Sequence, residues 1–168
     1  MKMAAQDNDE GRAYRRAMGQ FATGVCLLST ATPAGPRAIT VNSVTSASLR
    51  PPVLSVCIRR ESAMTGLITT AGAFGISVLA ATHEGISRQY AGRAERGEDT
   101  LARWKWRDGV PCVDGALAVF ASTVIQMAEI GDHVVLFGTV TAFDLSSTRE
   151  DALVFYAGSY ARLAAMPI

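Results

Sequence analysis

The sequence predicts a mainly β fold with short peripheral helices, in which antiparallel strands close into a barrel. Three observations support this fold class. Segments rich in Val, Ile, Leu and Thr recur along the chain, and turn residues separate several of them, as at residues 33–36 and 129–132. Hairpins dominate, and no regular βαβ alternation is present. Neither a G-x-G-x-x-G nor a G-x-x-x-x-G-K-S/T motif occurs, which disfavours a dinucleotide-binding parallel sheet.

The individual elements follow from hydrophobic periodicity and turn signals. Tyr14, Met18 and Phe21 form one apolar stripe, which predicts a helix over residues 10–22. Two further helices are predicted, over residues 61–71 and 82–93. Seven strands are predicted, over residues 25–32, 37–45, 53–58, 74–79, 117–127, 134–143 and 152–156. Residues 94–109, which include Trp104 and Trp106, are predicted to form a long surface excursion.

The length and charge of the chain indicate its general class. A single domain over residues 1–168 is expected, with residues 1–9 as a flexible N-terminal tail. The 16 basic and 15 acidic residues give a net charge of +1, so no global basic field attracts nucleic acid or an anionic membrane. No apolar run reaches the length of about 20 residues that a membrane helix needs. The polar N-terminus lacks the apolar core of a signal peptide, so a cytoplasmic protein is expected.

The cysteines and histidines are too few and too scattered for a structural metal site. Cys26, Cys57 and Cys112 are widely spaced, with no C-x-x-C pair, and they do not form a disulfide framework. Only His83 and His133 supply imidazole, so no zinc or other metal is expected. Cys26 and Cys57 lie inside apolar runs, which is typical of buried thiols.

Residues 40–48 form the most unusual segment, with six hydroxyl or amide side chains in nine positions. Polar side chains of this kind need hydrogen-bonding partners where they are buried. The rim of an isoalloxazine ring offers such partners, and Asn42 and Ser43 can both donate and accept along it. A Ser/Thr-rich edge strand that binds no ligand is the alternative interpretation.

Residues 57–65 leave a predicted strand and enter a predicted helix. Ser62 suits the N-cap position of that helix. A helix N-terminus with free N–H groups, a hydroxyl and the nearby Arg59 is favourable for binding a phosphate group. The alternative is simple capping, with Arg59 and Arg60 in solvent.

Short motifs in a fixed order extend this interpretation over most of the chain. They occur at residues 21–25, 40–43, 46–52, 74–79, 115–118, 131–133, 137–140 and 156–160. Their order and spacing resemble the flavin reductase-like family over about residues 12–163. That family contains the short-chain NAD(P)H:flavin reductases that serve two-component monooxygenases. The resemblance implies a six-stranded antiparallel split β-barrel of the FMN-binding type, usually a homodimer with flavin near the subunit interface.

The resemblance also implies a set of flavin-binding residues. Those expected to line the flavin ring are Thr40, Val41, Asn42 and Ser43. Those expected near the ribityl chain and the phosphate are Ser46, Ala47 and Ser48. Those expected at or beside the phosphate are Cys57, Arg59, Ser62 and Thr65. Arg88 falls where the family often has a basic residue near the flavin.

Two residues are expected on the nicotinamide side of the flavin. In the family, the histidine of a Gly-Asp-His motif holds the dinucleotide in place, and here that histidine is His133. Tyr160 resembles the family's closing tyrosine, which stacks near the nicotinamide. Hydride transfer itself belongs to the cofactors and needs no protein acid, so His133 is assigned to positioning. A surface or packing histidine is the alternative.

The resemblance implies an enzyme that uses NADH or NADPH to reduce FMN or FAD and supplies the reduced flavin to a separate monooxygenase. One alternative is a flavin-binding barrel that holds FMN tightly and acts on another substrate. A second alternative is a non-catalytic barrel that only binds. The residues do not decide between FMN and FAD, nor between NADH and NADPH.

Overall fold

The computed structural model describes residues 9–92, 101–147 and 150–163. Its helices are α1 (Asp9–Met18), α2 (Ala63–Ala71) and α3 (Glu84–Tyr90), with a 3-10 turn over Ala81–His83 before α3. Its strands are β1 (Thr23–Gly24), β2 (Cys26–Thr32), β3 (Gly35–Val41), β4 (Thr45–Leu49), β5 (Pro52–Arg59), β6 (Ala73–Val78), β7 (Trp104–Arg107), β8 (Val110–Val113), β9 (Ala118–Ile130), β10 (His133–Leu145), β11 (Val154–Tyr156) and β12 (Ser159–Ala161). The predicted tail lies outside the described residues, except for Asp9, which begins α1.

Seven strands form one antiparallel sheet in the order β3-β2-β6-β9-β10-β5-β4. Strands β1, β11 and β12 form a small second sheet, and β7 pairs with β8. The prediction of a mainly β fold with short helices is therefore confirmed. Within the described ranges, no helix is both long and apolar enough to cross a membrane.

The sheet differs from the predicted closed barrel of six strands. It has seven strands, and no hydrogen bonds join its edge strands β3 and β4 in the residues that the structure covers. Helix α3 lies beside β3 instead, where Thr40 Oγ1 donates to the Ser87 carbonyl at 2.7 Å. The sheet is nevertheless curled, because Val41 of β3 and Leu54 of β5 share one core cluster although they are far apart in the strand order.

Irregularities in the long β9–β10 pair accompany this curvature. The register shifts between Phe137 and Gly138 and again between Val140 and Ala142, and such bulges bend and twist a sheet. A Cβ at Gly138 would lie only 2.5 Å from the Phe74 ring. Gly138 therefore allows the fully buried Phe74 ring to pack directly against the sheet backbone.

Helix α2 packs into the curled sheet and brings its N-terminus to one end of β5. Its buried residues Met64 and Ile68 belong to the main core. Gly72, with a φ of +67°, ends the helix in the left-handed conformation that glycine favours. At the other end, Arg60 N donates to the Asp132 carbonyl at 2.9 Å. This bond holds the start of α2 beside the β9–β10 turn.

Several predicted elements end earlier or later than the periodicity indicated. The first helix ends at Met18, not at residue 22, because Gly19 O accepts from Ala157 N and Thr23 pairs with Phe155. The predicted strand over residues 37–45 breaks after Val41, and β4 starts at residue 45. Contacts between distant residues determine where α1 and β3 end, and hydrophobic periodicity contains no information about such contacts.

The predicted surface excursion over residues 94–109 is partly ordered as a strand. Trp104 and Trp106 belong to β7, which pairs with β8 through Trp104↔Val113 and Trp106↔Pro111. Val113 N also donates to the buried Ser77 hydroxyl at 2.9 Å, which attaches this ribbon to the main sheet. Residues 94–100 of the prediction lie outside the described residues.

Candidate functional site

A groove and a smaller cavity adjoin where β3 ends. The groove has a volume of about 1010 Å³ and lies between α1, residues 21–24 and residues 42–45. The smaller cavity has a volume of about 170 Å³. Asn42 and Phe155 line both spaces. Small-molecule sites commonly measure about 300–1,000 Å³, so the groove has room for a cofactor and the cavity only for part of one.

The break between β3 and β4 is held by a side chain. Ser43 Oγ donates to the Cys57 carbonyl at 2.7 Å and accepts from the Cys57 N–H at 3.1 Å. These bonds replace the strand pairing that residues 42–44 lack. The Ser43 hydroxyl thus spends its one donor within the protein and keeps one acceptor lone pair.

The four predicted ring-binding residues are brought together around the two spaces. Thr40, Val41 and Asn42 line the cavity, while Asn42 and Ser43 line the groove. Thr40 uses its hydroxyl hydrogen on the Ser87 carbonyl. Asn42 is exposed and donates from Nδ2 to Thr23 Oγ1 at 3.1 Å, which leaves its amide oxygen available to a ligand.

The predicted ribityl segment lies on the outer edge strand. Ser46 pairs with Leu54 and Ser48 with Val53, and Ala47 lies at the bulge between the two pairs. Leu54 and Val53 precede Arg59 by five and six positions on β5, a separation of roughly 16–20 Å at about 3.3 Å per residue. The structure therefore does not bring this segment next to Arg59 within one chain.

The predicted phosphate residues gather at the start of α2. Ser62 caps the helix by accepting from Met64 N at 3.3 Å. Thr65 Oγ1 donates to the Arg59 carbonyl at 3.2 Å. Arg59 is exposed, and its guanidinium makes no ion pair or side-chain hydrogen bond within the described ranges. This end of β5 thus presents one available cation next to a helix N-terminus without acidic residues in its first turn.

His133 lies beside this cation, because it pairs with Arg59 across β10 and β5. Its ring Nδ1 is 2.8 Å from Asp132 Oδ1. The hydrogen bond from His133, followed by the charge of its ring, holds the pKa of Asp132 below the ordinary value of 3.8. His133 Nε2 has no partner in the part of the chain that the structure describes, so it can bind a ligand.

Tyr160 lies at the cavity and is held by several neighbours. Its hydroxyl is 2.8 Å from Ser87 Oγ, and the Arg88 guanidinium lies 4.9 Å from its ring centroid. Phe155 makes an edge-to-face contact with it at 5.5 Å. Arg88 is itself paired with Glu84 at 2.6 Å. His133 lines neither the cavity nor the groove, so one chain does not place His133 and Tyr160 on the same wall.

The thiols are poor nucleophiles at neutral pH. Burial raises the pKa of Cys26 to about 12 and that of Cys112 to about 11. Burial, with a smaller contribution from Asp132, also raises the pKa of the half-buried Cys57. The site therefore contains no thiolate among these residues, and Cys57 contributes mainly through its backbone bonds to Ser43.

The comparison with known protein families is decisive for identity. Residues 18–164 match the model of the family described as "Flavin reductase like domain". This chain belongs to the flavin reductase-like family. The resemblance drawn from the ordered motifs is thereby confirmed.

Individual members of the family are similar over most of the chain. The "NADH-dependent flavin reductase" of a Rhodococcus species is 38% identical over 152 residues, which are 89% of this chain and 84% of that protein. The "Probable flavin reductase" of Rhizobium meliloti (strain 1021) is 41% identical over 139 residues, 80% of this chain, but the chain spans only 44% of its length. The solved structure of the styrene monooxygenase flavin reductase from Pseudomonas putida S12 superposes with a TM-score of 0.83 at 31% sequence identity. The superposition includes 92% of this chain and 99% of the reductase chain.

Sequence reasoning missed some residues of this candidate site. Ser87, which contacts both Thr40 and Tyr160, carried no signal, because a lone serine in a helix is unremarkable. Phe155 lies directly before the motif at residues 156–160 and was not recognised as a wall of both spaces. The apolar stripe of Tyr14 and Met18 was recognised, but its position on the groove follows only from the fold.

Proposed function

We propose that this flavin reductase-like protein is an NAD(P)H:flavin oxidoreductase that reduces FMN or FAD and supplies the reduced flavin to a separate monooxygenase. The observation that supports it best is the adjoining pair of spaces on either side of Asn42. A flavin and a nicotinamide must be in contact for hydride transfer, and two joined spaces of unequal size suit that requirement.

The residues of the groove fit a flavin. Its walls are mostly apolar, as expected for an aromatic ring system, and they include Tyr14, Met18 and Phe21. Asn42 offers its amide oxygen and Ser43 an acceptor lone pair to the polar rim of the ring. When bound, the flavin supplies the hydride acceptor. Thr40, Val41, Asn42 and Ser43 hold and orient the ring.

The available cation at the end of β5 supports the assignment of the flavin phosphate. Arg59, with Ser62 and Thr65 at the start of α2, binds the phosphate in this proposal. Cys57 supports the site through its backbone. Within one chain, Ser46, Ala47 and Ser48 pair with residues of β5 that lie roughly 16–20 Å from Arg59, which is farther than a ribityl chain reaches. Their contact with the ribityl chain therefore stays a prediction. Arg88 as a direct flavin contact stays a prediction.

The nicotinamide is assigned to the smaller cavity, with Tyr160 as one wall and His133 as a hydrogen-bonding group. We propose NADH as the donor, which the name of the Rhodococcus relative supports. Because Tyr160 and His133 are not on one wall of a single chain, we propose a homodimer. Exposed apolar side chains on the long strands, such as Phe143 and Leu145, support it. We also keep the FMN-binding type of split barrel as part of this proposal.

The partner oxygenase is proposed from the name of the styrene monooxygenase flavin reductase, which serves a monooxygenase. Reduced flavin reacts with oxygen in water, so a reductase that releases it needs a consumer close by. We propose a flavin-dependent monooxygenase as this consumer, as the names of such relatives suggest. The substrate that is oxygenated binds to the partner enzyme, so the residues of this chain do not identify it.

The decisive experiment is NADH oxidation by the purified protein with and without added flavin. We expect oxidation only when FMN or FAD is present, at a rate well above the mixture of NADH and flavin alone. Steady-state rates with FMN or FAD, each combined with NADH or NADPH, show which flavin and which nicotinamide the protein prefers. A protein that retains its flavin through dialysis and shows no rate with added flavin would support a tightly bound prosthetic group instead. Sedimentation of the same sample tests the homodimer.

A further inference from the structure

We propose that Ser87 and Arg88 of α3 are positioning residues, which fix the Tyr160 ring as a wall of the smaller cavity and so set the affinity for the nicotinamide donor. This inference rests on the proposed function, because it assigns the cavity to nicotinamide. Neither residue needs to touch a substrate. Both act through the ring of Tyr160.

Ser87 is the centre of a buried hydrogen-bonded link between three elements. It is fully buried, and its hydroxyl lies 2.8 Å from the Tyr160 hydroxyl. Its carbonyl accepts from Thr40 Oγ1 at 2.7 Å. Thr40 and Tyr160 both line the cavity, on β3 and β12, and Ser87 connects them from behind through α3.

Arg88 adds a second constraint, on the ring itself. Its guanidinium lies 4.9 Å from the Tyr160 ring centroid, within the range of a cation–π interaction. The Glu84 carboxylate, one turn earlier on α3, bonds Arg88 Nε at 2.9 Å and Nη2 at 2.6 Å. The guanidinium is thus held in place before it meets the ring.

These constraints matter because Tyr160 lies on a weakly anchored strand. Strand β12 pairs only with β11, and β11 pairs further only with two residues of β1 in the described part of the chain. Without neighbours on α3, the ring would be held by apolar packing alone, against Phe155 and the core cluster that includes Val25 and Leu79. If the Tyr160 ring is already ordered, binding of the nicotinamide donor does not have to order it, and the entropic cost of binding is smaller.

The proposal changes the expected role of Arg88. A flavin-binding arginine would change flavin affinity when it is replaced. An arginine that acts through Tyr160 would change the KM for NADH and leave the flavin dissociation constant alone. The two roles therefore predict different kinetic constants for the same variant.

The first test is a double-mutant cycle with Ser87→Ala and Tyr160→Phe in the full chain. Each single change removes one hydroxyl of the same hydrogen bond, which is typically worth about five- to tenfold in an equilibrium constant. We expect each to raise the KM for NADH about fivefold, with kcat changed less than about twofold. The double variant should be no worse than the poorer single variant, because both lose one bond.

Ser77→Ala is the matched control. Ser77 is also a fully buried serine with one hydrogen bond, to Val113 N, but it lines neither the cavity nor the groove. We expect it to lower thermal stability at least as much as Ser87→Ala and to leave the KM for NADH unchanged. If Ser77→Ala raises that KM as much, or if the effects of Ser87→Ala and Tyr160→Phe simply add, the positioning role is overturned.

The second test replaces Arg88 by Met and by Lys. We expect Arg88→Met to raise the KM for NADH about threefold, since a cation–π contact is worth about 0.5–1 kcal/mol at exposed sites, and to leave flavin titrations unchanged. Arg88→Lys should recover only part of the effect, because Lys lacks the planar group. A raised flavin dissociation constant in Arg88→Met would show a direct flavin contact and would overturn the proposal for this residue.

A readout without turnover separates this inference from the proposed function. Fluorotyrosine placed at position 160 reports the ring environment by ¹⁹F NMR in the protein alone. We expect one sharp resonance that broadens or splits in Ser87→Ala and is unchanged in Ser77→Ala. Wild-type protein without flavin-dependent NADH oxidation would refute the proposed function. An unchanged resonance in Ser87→Ala would refute the positioning of the ring, whatever the activity.

Discussion

The two histidines of this chain differ in what their ring nitrogens contact. His83 ends the 3-10 turn before α3, where its Nδ1 accepts from the Ala80 N–H at 3.2 Å. His133 begins β10, with its Nδ1 on the exposed Asp132 and its Nε2 directed to no neighbour in the described ranges. Burial lowers the pKa of His83, although Glu150 acts in the opposite direction.

The two rings differ in how many of their nitrogen atoms already make hydrogen bonds within the protein. His83 supplies the acceptor for a fully buried backbone N–H, so its ring is part of the frame that connects β6 to α3. His133 has half of its hydrogen-bonding capacity left and lies opposite an available cation, Arg59. A side chain can bind a ligand when some of its hydrogen-bond donors or acceptors are unused within the protein. The structure identifies such side chains, whereas the residue type alone does not.

Replacing His133 gives the largest expected effect and tests its side of the comparison. We expect His133→Ala to lower kcat/KM for NADH about tenfold or more, because it removes a hydrogen bond to the bound dinucleotide. Flavin affinity and the melting temperature should stay close to the wild-type values, since 40% of the side chain is exposed and its hydrogen bond is to the exposed Asp132. Steady-state kinetics, flavin titration and thermal melts check the three parts. Equal rates in both proteins would remove His133 from the site.

The neighbouring arginines provide the next test, because they differ in the same way as the histidines. Arg60 is paired with Glu129 at 3.6 Å, whereas Arg59 has no such partner in the described residues. We expect Arg59→Met to raise the flavin dissociation constant about tenfold through a lost charge-assisted bond to phosphate. Arg60→Met is the matched control and should change it less than about twofold. Riboflavin, which lacks the phosphate, should bind wild type and Arg59→Met alike.

Much of this frame could be predicted from the sequence, because local signals decide it. The turn at residues 129–132 needs Gly131, whose φ is +59°, and its apolar flanks predict the two long strands. Ser62 was expected to cap a helix and does so. Residues 40–43 were expected to line a binding site, and the fold places all four residues around the two spaces; whether they bind flavin stays a prediction.

What could not be predicted depends on contacts between distant residues. The break after Val41 exists because Ser43 bonds to Cys57, fourteen positions later, and no periodicity contains that information. The same is true of Ser87, which meets Tyr160 over a separation of 73 residues. The separation of Ser48 from Arg59 follows from the register of β4 on β5, which the resemblance alone did not supply.

Replacing His83 should cost stability and spare the chemistry. We expect His83→Ala to lower the free energy of unfolding by about 1–2 kcal/mol, because the Ala80 N–H loses its acceptor in a buried position. Thr82→Ala is the control on the adjacent residue, whose hydroxyl donates to the exposed Glu150 at 2.7 Å, and it should cost much less. Urea unfolding measures both. A fall in kcat/KM for NADH at full stability would place His83 in the site instead.

The lowered pKa of His83 predicts a pH dependence of stability with a definite sign. The folded protein prefers the neutral ring, so its contribution is complete above the ordinary pKa of 6.5 and is lost as the pH falls below it. The loss between about pH 7.5 and 5.5 should stay under about 1 kcal/mol, because the ring is half-exposed and solvent screens it. We expect His83→Ala to show a flatter profile in urea unfolding over this range. An identical slope in both proteins would contradict this origin.

The smallest effect is expected when Asp132 is replaced. The size of this effect measures how much the charge of the Asp132 carboxylate contributes to the function of His133. The pKa of Asp132 is lowered by the His133 hydrogen bond, so the group stays ionised at every pH well above 3.8 and its contribution is lost only in stronger acid. Asp132→Asn keeps an oxygen that accepts the same bond, and the position is exposed. We therefore expect less than about a twofold change in kcat/KM for NADH at pH 7, and no new limb in the pH profile above pH 5. A tenfold loss would mean that the charge of the carboxylate, and not only its hydrogen bond, sets the ring of His133 for the dinucleotide.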